Sequence, residues 1–162
     1  MKKICFAGLI GLAFFTVSDS AYASQPVKYG LFAEEIISVK DLRRRQIHKE
    51  RFVLLDARGK SSYDEGHISG AVLPLTAGYY EKEELFRKGL LKNPPDREAD
   101  LKESMKKYSK ETPIVTYCNV NCQASAVLLL QMKHLGFTDV RAMTDGFEKW
   151  QAAKYPVEPK NL

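Results

Sequence analysis

Cysteine is scarce in this chain, with three among 162 residues, too few to hold a small fold together by disulfides. Long apolar runs are also missing. The run at the front, Ile4 to Val17, falls short of the ~20 residues a helix needs to cross a bilayer. Neither sign of charge dominates, since 25 Lys and Arg are interspersed with 20 Asp and Glu for a net +5. That scatter reads as a solvated surface, not the basic stripe of a nucleic-acid binder. Ten glycines and seven prolines exclude collagen-like and low-complexity chains, and 44% apolar residues exclude intrinsic disorder. What remains is enough for one ordinary domain.

The front of the chain reads as an address. Lys2 and Lys3 precede the apolar run, and Ser18-Asp19-Ser20-Ala21-Tyr22-Ala23 follows it, with small residues at 21 and 23. These are the three parts of a secretory signal, expected over 1–23 with cleavage after Ala23. A periplasmic or secreted protein without stable membrane insertion follows. Cleavage removes Cys5 and leaves two cysteines, Cys118 and Cys122, within one short stretch.

Residues 24–35 carry no clear period and read as a leader. Ser38, with Asp41 three residues on and Ile37 and Leu42 placed as a staple, predicts a helix over 39–47. Phe52-Val53-Leu54-Leu55 is an unbroken apolar run, as a buried parallel strand requires, and it ends in Asp56-Ala57-Arg58. A short helix is expected over 61–65, stopped by Gly66, and a strand over 71–73. The charged segment 76–111 is the least informative. Asp96 can cap a helix there that carries Leu101, Met105 and Tyr108. Pro113 to Tyr117 is the strongest strand candidate, and Ser125 to Leu135 a helix closed by Gly136. A strand over 138–143, a turn at Asp145-Gly146 and a helix over 147–153 complete a domain of 36–158, with 159–162 as a tail. Strands alternate with helices throughout, so the fold class is α/β with a parallel central sheet.

The chemistry concentrates in Cys118-Asn119-Val120-Asn121-Cys122-Gln123-Ala124-Ser125, between a buried strand and an apolar helix. In an open α/β sheet, ligands bind at the carboxyl ends of strands. A cysteine there faces free backbone N–H groups and the positive end of a helix dipole, which lower a thiol's pKa and make it nucleophilic. The same cradle holds sulfate-like anions.

Three stretches make this chain resemble the single-domain rhodanese-like sulfurtransferases. They are Asp56-Ala57-Arg58 with Gly66-His67-Ile68-Ser69-Gly70-Ala71, the strand Ile114 to Cys118, and Leu135-Gly136-Phe137 with Asp145-Gly146-Phe147-Glu148-Lys149-Trp150. The resemblance covers about 37–158. It implies a persulfide cycle in which Cys118 takes sulfane sulfur from a thiosulfate-like donor and passes it to a thiol or cyanide. It implies no cofactor, and the expected assembly is a monomer whose partners are a small anionic donor and a thiol acceptor, which can be a protein thiol. Loop N–H groups from Asn119 to Ser125 would bind the donor and stabilise the persulfide. Asp56, Arg58 and His67 match positions read as structural support. His48 and His134 fall on predicted solvated helix faces.

The chain departs from the family pattern in its loop. Where a glycine and a basic or polar residue are usual, it has Asn121, Cys122, Gln123 and Ala124, with no basic side chain. Ala124 also stands where the Cys-x5-Arg phosphatases place their arginine, and phosphoryl transfer lacks its main charge stabiliser without that fork. Cys-x3-Cys is a known loop variant among rhodanese-like proteins. Cys122 has two readings, a resolving thiol and a small residue filling a glycine's place. Zinc lacks a third and fourth ligand at a recognisable spacing, and cuprous copper on two thiolates has no other support. Two rivals stay open: a thiol–disulfide oxidoreductase using both cysteines, and a non-catalytic sulfur-carrier or partner-binding module docking through 76–111.

Overall fold

Side-chain alternation along three adjacent strands sorts the core into two layers. In the computed structural model, which describes residues 25–75 and 77–159, the central sheet holds β1 (Val53–Asp56), β3 (Ala71–Val72), β4 (Ile114–Tyr117) and β5 (Val140–Met143). Their order is β3-β1-β4-β5 and every pairing is parallel. Leu54, Val115, Tyr117 and Met143 face one way, onto Ile37, Leu42 and Trp150. Leu55, Ile114, Val140 and Ala142 face the other way, onto Leu101, Leu129 and Met132. Burial on both faces is why the strands read as continuous apolar runs.

The first layer is closed by α1 (Val39–Ile47) and α6 (Phe147–Ala152), the second by α4 (Arg97–Met105) and α5 (Ala124–His134). Helix α1 starts where expected, with the Ser38 hydroxyl accepting the Asp41 N–H at 3.1 Å. The other half of the expected capping box is altered, because the Asp41 carboxylate meets the Ser38 hydroxyl instead of its backbone. Asp145 accepts the Val39 N–H at 3.1 Å and caps α1 from across the chain. Helix α5 ends in a Schellman motif: Gly136 adopts φ +91, and Phe137 and Gly136 donate to the Met132 and Lys133 carbonyls.

Several boundaries differ from the sequence reading. The first strand begins at Val53 and includes Asp56, and β5 begins at Val140. The segment 76–111 holds a second helix, α3 (Ala77–Arg87), which its run of charges at 81–84 concealed. Tyr108 lies beyond the end of α4 and packs against the core from outside the helix. A short helix α2 (Lys60–Glu65) leads into β2 (His67–Ile68), which pairs antiparallel with β6 (Val157–Glu158) in a separate two-stranded ribbon. Within the segment read as a leader, Leu31 is buried in the core and Lys28 donates to the Thr144 carbonyl. The expected signal, 1–23, lies outside the described residues.

The strand order creates one switch point. The chain leaves β1 toward β3 on one side and returns as β4 on the other. Such a reversal opens a crevice at the carboxyl ends of the two central strands. Asp56-Ala57-Arg58 and Cys118 sit there.

Candidate active site

Cys118 follows the last residue of β4, directly before the turn that leads into α5. Asn121 in that turn has φ +57, a left-handed conformation that asparagine tolerates better than most side chains. It therefore reaches by side-chain type a conformation that glycine reaches by lacking a Cβ.

The expected thiolate cradle is only partly present. Cys118 is 1% exposed, and its Sγ lies 3.0 Å from the Cys122 carbonyl oxygen and 3.4 Å from that of Asn119. Carbonyls accept the thiol proton and disfavour a thiolate. The Ser125 hydroxyl, 3.5 Å away, and the Ser125 N–H work in the opposite direction. Burial outweighs them, the Cys122 thiol adds to it, and the Cys118 thiol is pushed up to about 11. This runs against the expectation of a lowered pKa, which took the loop's donors into account but not the burial of the thiol or the neighbouring Cys122. Both cysteines are free, Cys122 half-buried. Its Sγ accepts the Ala124 N–H at 3.4 Å.

The loop is held from behind by α6, a contribution the sequence reading did not assign. The Phe147 N–H donates to the Cys118 carbonyl at 2.8 Å, and the Glu148 carboxylate accepts the Val120 N–H at 2.7 Å. Glu148 thus takes one of the N–H groups expected for the donor. The N–H groups of Asn121 and Gln123 make no hydrogen bond among the described residues and stay available. The signal was visible, because Gly146-Phe147-Glu148 belongs to the closing segment of the resemblance, but only the fold shows that it faces the loop.

Asp56 and Arg58 form a buried pair beneath the site. Arg58 Nε lies 3.0 Å from Asp56 Oδ1, and its Nη2 lies 2.6 Å from Oδ2 and 2.7 Å from the Gly66 carbonyl. The guanidinium stacks 3.9 Å from the Phe147 ring centroid. Burial opposes its charge, yet Asp56 more than offsets this and moves the guanidinium's pKa upward. The Tyr117 hydroxyl donates to Asp56 at 2.6 Å and accepts the Ile68 N–H at 3.1 Å. Burial first, and then Asp56, drive the Tyr117 pKa up, so it stays a neutral donor. The network joins β1, β4 and the 66–68 turn, with every Asp56 oxygen engaged.

His67 stands apart from Cys118. Its Nδ1 donates to the Tyr63 carbonyl at 3.0 Å, and its ring stacks on Tyr63 at 3.8 Å. His48 and His134 are exposed. Among the described residues no group of three His, Cys, Asp or Glu could hold a metal ion.

A parallel sheet with a cysteine loop at its switch point defines the class of α/β protein. Comparison with known proteins then narrows it. The rhodanese-like domain family matches residues 38–153, and this chain belongs to that family. It is 30% identical over 108 residues to a thiosulfate sulfurtransferase GlpE of Coxiella burnetii, covering 65% of this chain and 78% of that one. Solved structures share the fold. The Alr3790 protein from Anabaena sp. superposes with a TM-score of 0.57 at 22% identity, over 78% of this chain and 94% of that one. The BH2092 protein from Bacillus halodurans gives 0.58 at 22%, over 78% and 77%.

Proposed function

We propose that this chain is a sulfurtransferase that carries sulfane sulfur as a persulfide on Cys118. The observation that carries this reading is Cys118 at the carboxyl end of central strand β4, opening the loop into α5, in a chain of the rhodanese-like family. The Cys118 thiolate attacks the outer sulfur of a thiosulfate-like donor, the donor's S–S bond breaks and sulfite leaves. The persulfide's outer sulfur then passes to a thiol or cyanide, and Cys118 returns as thiolate. The donor's charge is met by the Asn121 and Gln123 N–H groups and the positive end of α5. Asp56, Arg58 and His67 support the site without touching the reacting sulfur. Export by the 1–23 signal would place the reaction in the periplasm or outside the cell.

A second reading rests on two free thiols in one turn, the Cys118 Sγ lying 3.0 Å from the Cys122 carbonyl oxygen. Cys122 thiolate attacks the inner sulfur of the Cys118 persulfide, hydrosulfide leaves, and a Cys118–Cys122 disulfide remains for an external dithiol to reduce.

Intact mass tests both readings on the reduced protein treated with thiosulfate and desalted, beside Cys118→Ser and Cys122→Ser. Gain of one sulfur in wild type and Cys122→Ser, absent in Cys118→Ser, is the result expected of the transferase. Loss of two hydrogens only when both cysteines are present supports the second reading. No change in any of the three overturns thiosulfate-type loading and leaves the partner-binding module.

A further inference from the structure

A cavity of about 290 Å³ opens beside the Cys118 loop, between the carboxyl end of β1 and helices α4 and α5. That volume sits at the lower edge of small-molecule pockets, which begin near 300 Å³. Two small residues, Ala57 and Ala124, form its wall toward the loop. They join it to the residues around Cys118, because the Ala57 N–H donates to the carbonyl of Tyr117, which precedes Cys118, at 2.8 Å and the Ala124 N–H reaches Cys122 Sγ.

The lining is amphipathic. Leu101, Val127 and Leu128 present carbon, while Tyr80, Arg97 and Gln131 present polar ends. The side chains of Tyr80 and Gln131 make no hydrogen bond among the described residues, and Arg97 makes no ion pair there. The acids around Arg97 on α4 are engaged elsewhere. Asp96 accepts the Ala99 N–H at 3.0 Å, Asp100 pairs with Lys82 at 3.3 Å, and Glu98 faces His134 at 3.9 Å. Arg97 is also the first residue of α4, where a cation opposes the helix dipole, so helix stability does not account for it. With Asp56 and Arg58 paired, Arg97, its guanidinium 5.8 Å from the Tyr79 ring centroid, is the one charge lining the cavity that has no ion-pair partner among the described residues.

The structure assigns this cavity as the acceptor pocket, taking a low-molecular-weight thiol that bears a carboxylate on a short carbon skeleton. The carboxylate pairs with Arg97 and accepts from Tyr80, the carbon chain lies along Leu101 and Val127, and the thiol points past Ala124 to the loop. The inference rests on the sulfurtransferase reading. In the step it serves, the acceptor thiolate attacks the outer sulfur of the Cys118 persulfide. The S–S bond within that persulfide breaks, the acceptor leaves as its own persulfide, and Cys118 is released as thiolate. No external oxidant or reductant enters. The bare inorganic donor has no carbon to place on the apolar wall, which assigns the pocket to the acceptor.

The test is a selectivity ratio. Turnover with thiosulfate is followed with 3-mercaptopropionate and with 2-mercaptoethanol, which lacks the carboxylate, in wild type, Arg97→Ala and Arg97→Lys. The ratio of kcat/KM for the two thiols should fall about tenfold in Arg97→Ala, the worth of one charge-assisted hydrogen bond, and be largely restored in Arg97→Lys. An unchanged ratio overturns the assignment while leaving Cys118 loading intact. Should the wild type load no sulfur by intact mass, the transferase reading fails instead, and the pocket is judged without turnover. In that case 3-(methylthio)propionate, which cannot accept sulfur, should shift the amide resonances of residues 97 and 131 in wild type but not in Arg97→Ala. Equal or absent shifts overturn it.

Discussion

Gly146 lies against the backbone of Val120 so closely that a Cβ on it would stand 2.4 Å from the Val120 nitrogen and 2.6 Å from its Cα. The turn into α6 and the turn out of β4 therefore share one surface, and the Cys118 loop has its shape only because residue 146 has no side chain.

Gly146→Ala should accordingly damage stability and loading together. Gly146 has φ +92 and ψ 155, an almost glycine-only conformation in which an L side chain costs about 1–3 kcal/mol before any clash is counted. Urea denaturation should show at least that loss. Sulfur loading of Cys118 should fall more than the unfolded fraction explains, because the loop must move.

The buried network gives a second prediction. Asp56→Asn leaves Arg58, whose side chain is 6% exposed, without its counter-charge, and removing one partner of such a pair costs about 3–5 kcal/mol. Tyr117→Phe removes one hydrogen bond to Asp56 and strands the Ile68 N–H, for about 1–3 kcal/mol. In a double-mutant cycle the two losses should fall short of additive, since both remove support from the same carboxylate.

A third concerns pH. The fold favours protonated Cys118, so its contribution to stability is whole below the unfolded thiol's value near ~8.5. That contribution is lost as pH climbs toward about 11. Over the same window the nucleophile appears. Site-resolved alkylation of Cys118 by iodoacetamide should accelerate about tenfold per pH unit and show no plateau at pH 9. Ser125→Ala removes a hydroxyl that favours the thiolate, and should slow alkylation at every pH below the plateau.

Glu148 sets the fourth. Its carboxylate holds the Val120 N–H beside the proposed donor site and repels an anion. Glu148→Gln keeps an acceptor for that N–H and removes the charge. The KM for thiosulfate should fall about two- to fivefold at low salt, the scale of one exposed charge interaction, and the difference should shrink as ionic strength rises.

Local signals carried much of this fold. Ser38, the apolar run ending at Tyr117 and Gly136 each act through their own neighbours, and they placed α1, β4 and the end of α5 to within a residue or so. The α3 helix escaped because Glu81, Lys82, Glu83 and Glu84 interrupt its apolar spacing. The β2–β6 ribbon escaped because strands of two residues form only when tertiary structure brings 67–68 and 157–158 together. At the site, the position of Cys118 was legible from a strand followed by a helix. The direction of the Cys122 and Asn119 carbonyls was not, since it depends on how the turn closes. Nor was the reach of Glu148, 28 residues from Val120, a contact that only the folded chain creates.

The β2–β6 pairing also bears on how the loop is enclosed. Glu158 accepts the Gly70 N–H at 3.1 Å and bonds the Ser69 hydroxyl, fastening the 67–70 turn with a strand drawn from near the far end of the chain. Phe147 and Glu148, which clamp the cysteine loop, also come late. In chain order both thiols of the loop thus precede the parts that enclose them. The surroundings of Cys118 are therefore a long-range product of the fold, built by residues about 30 to 40 positions further along the chain.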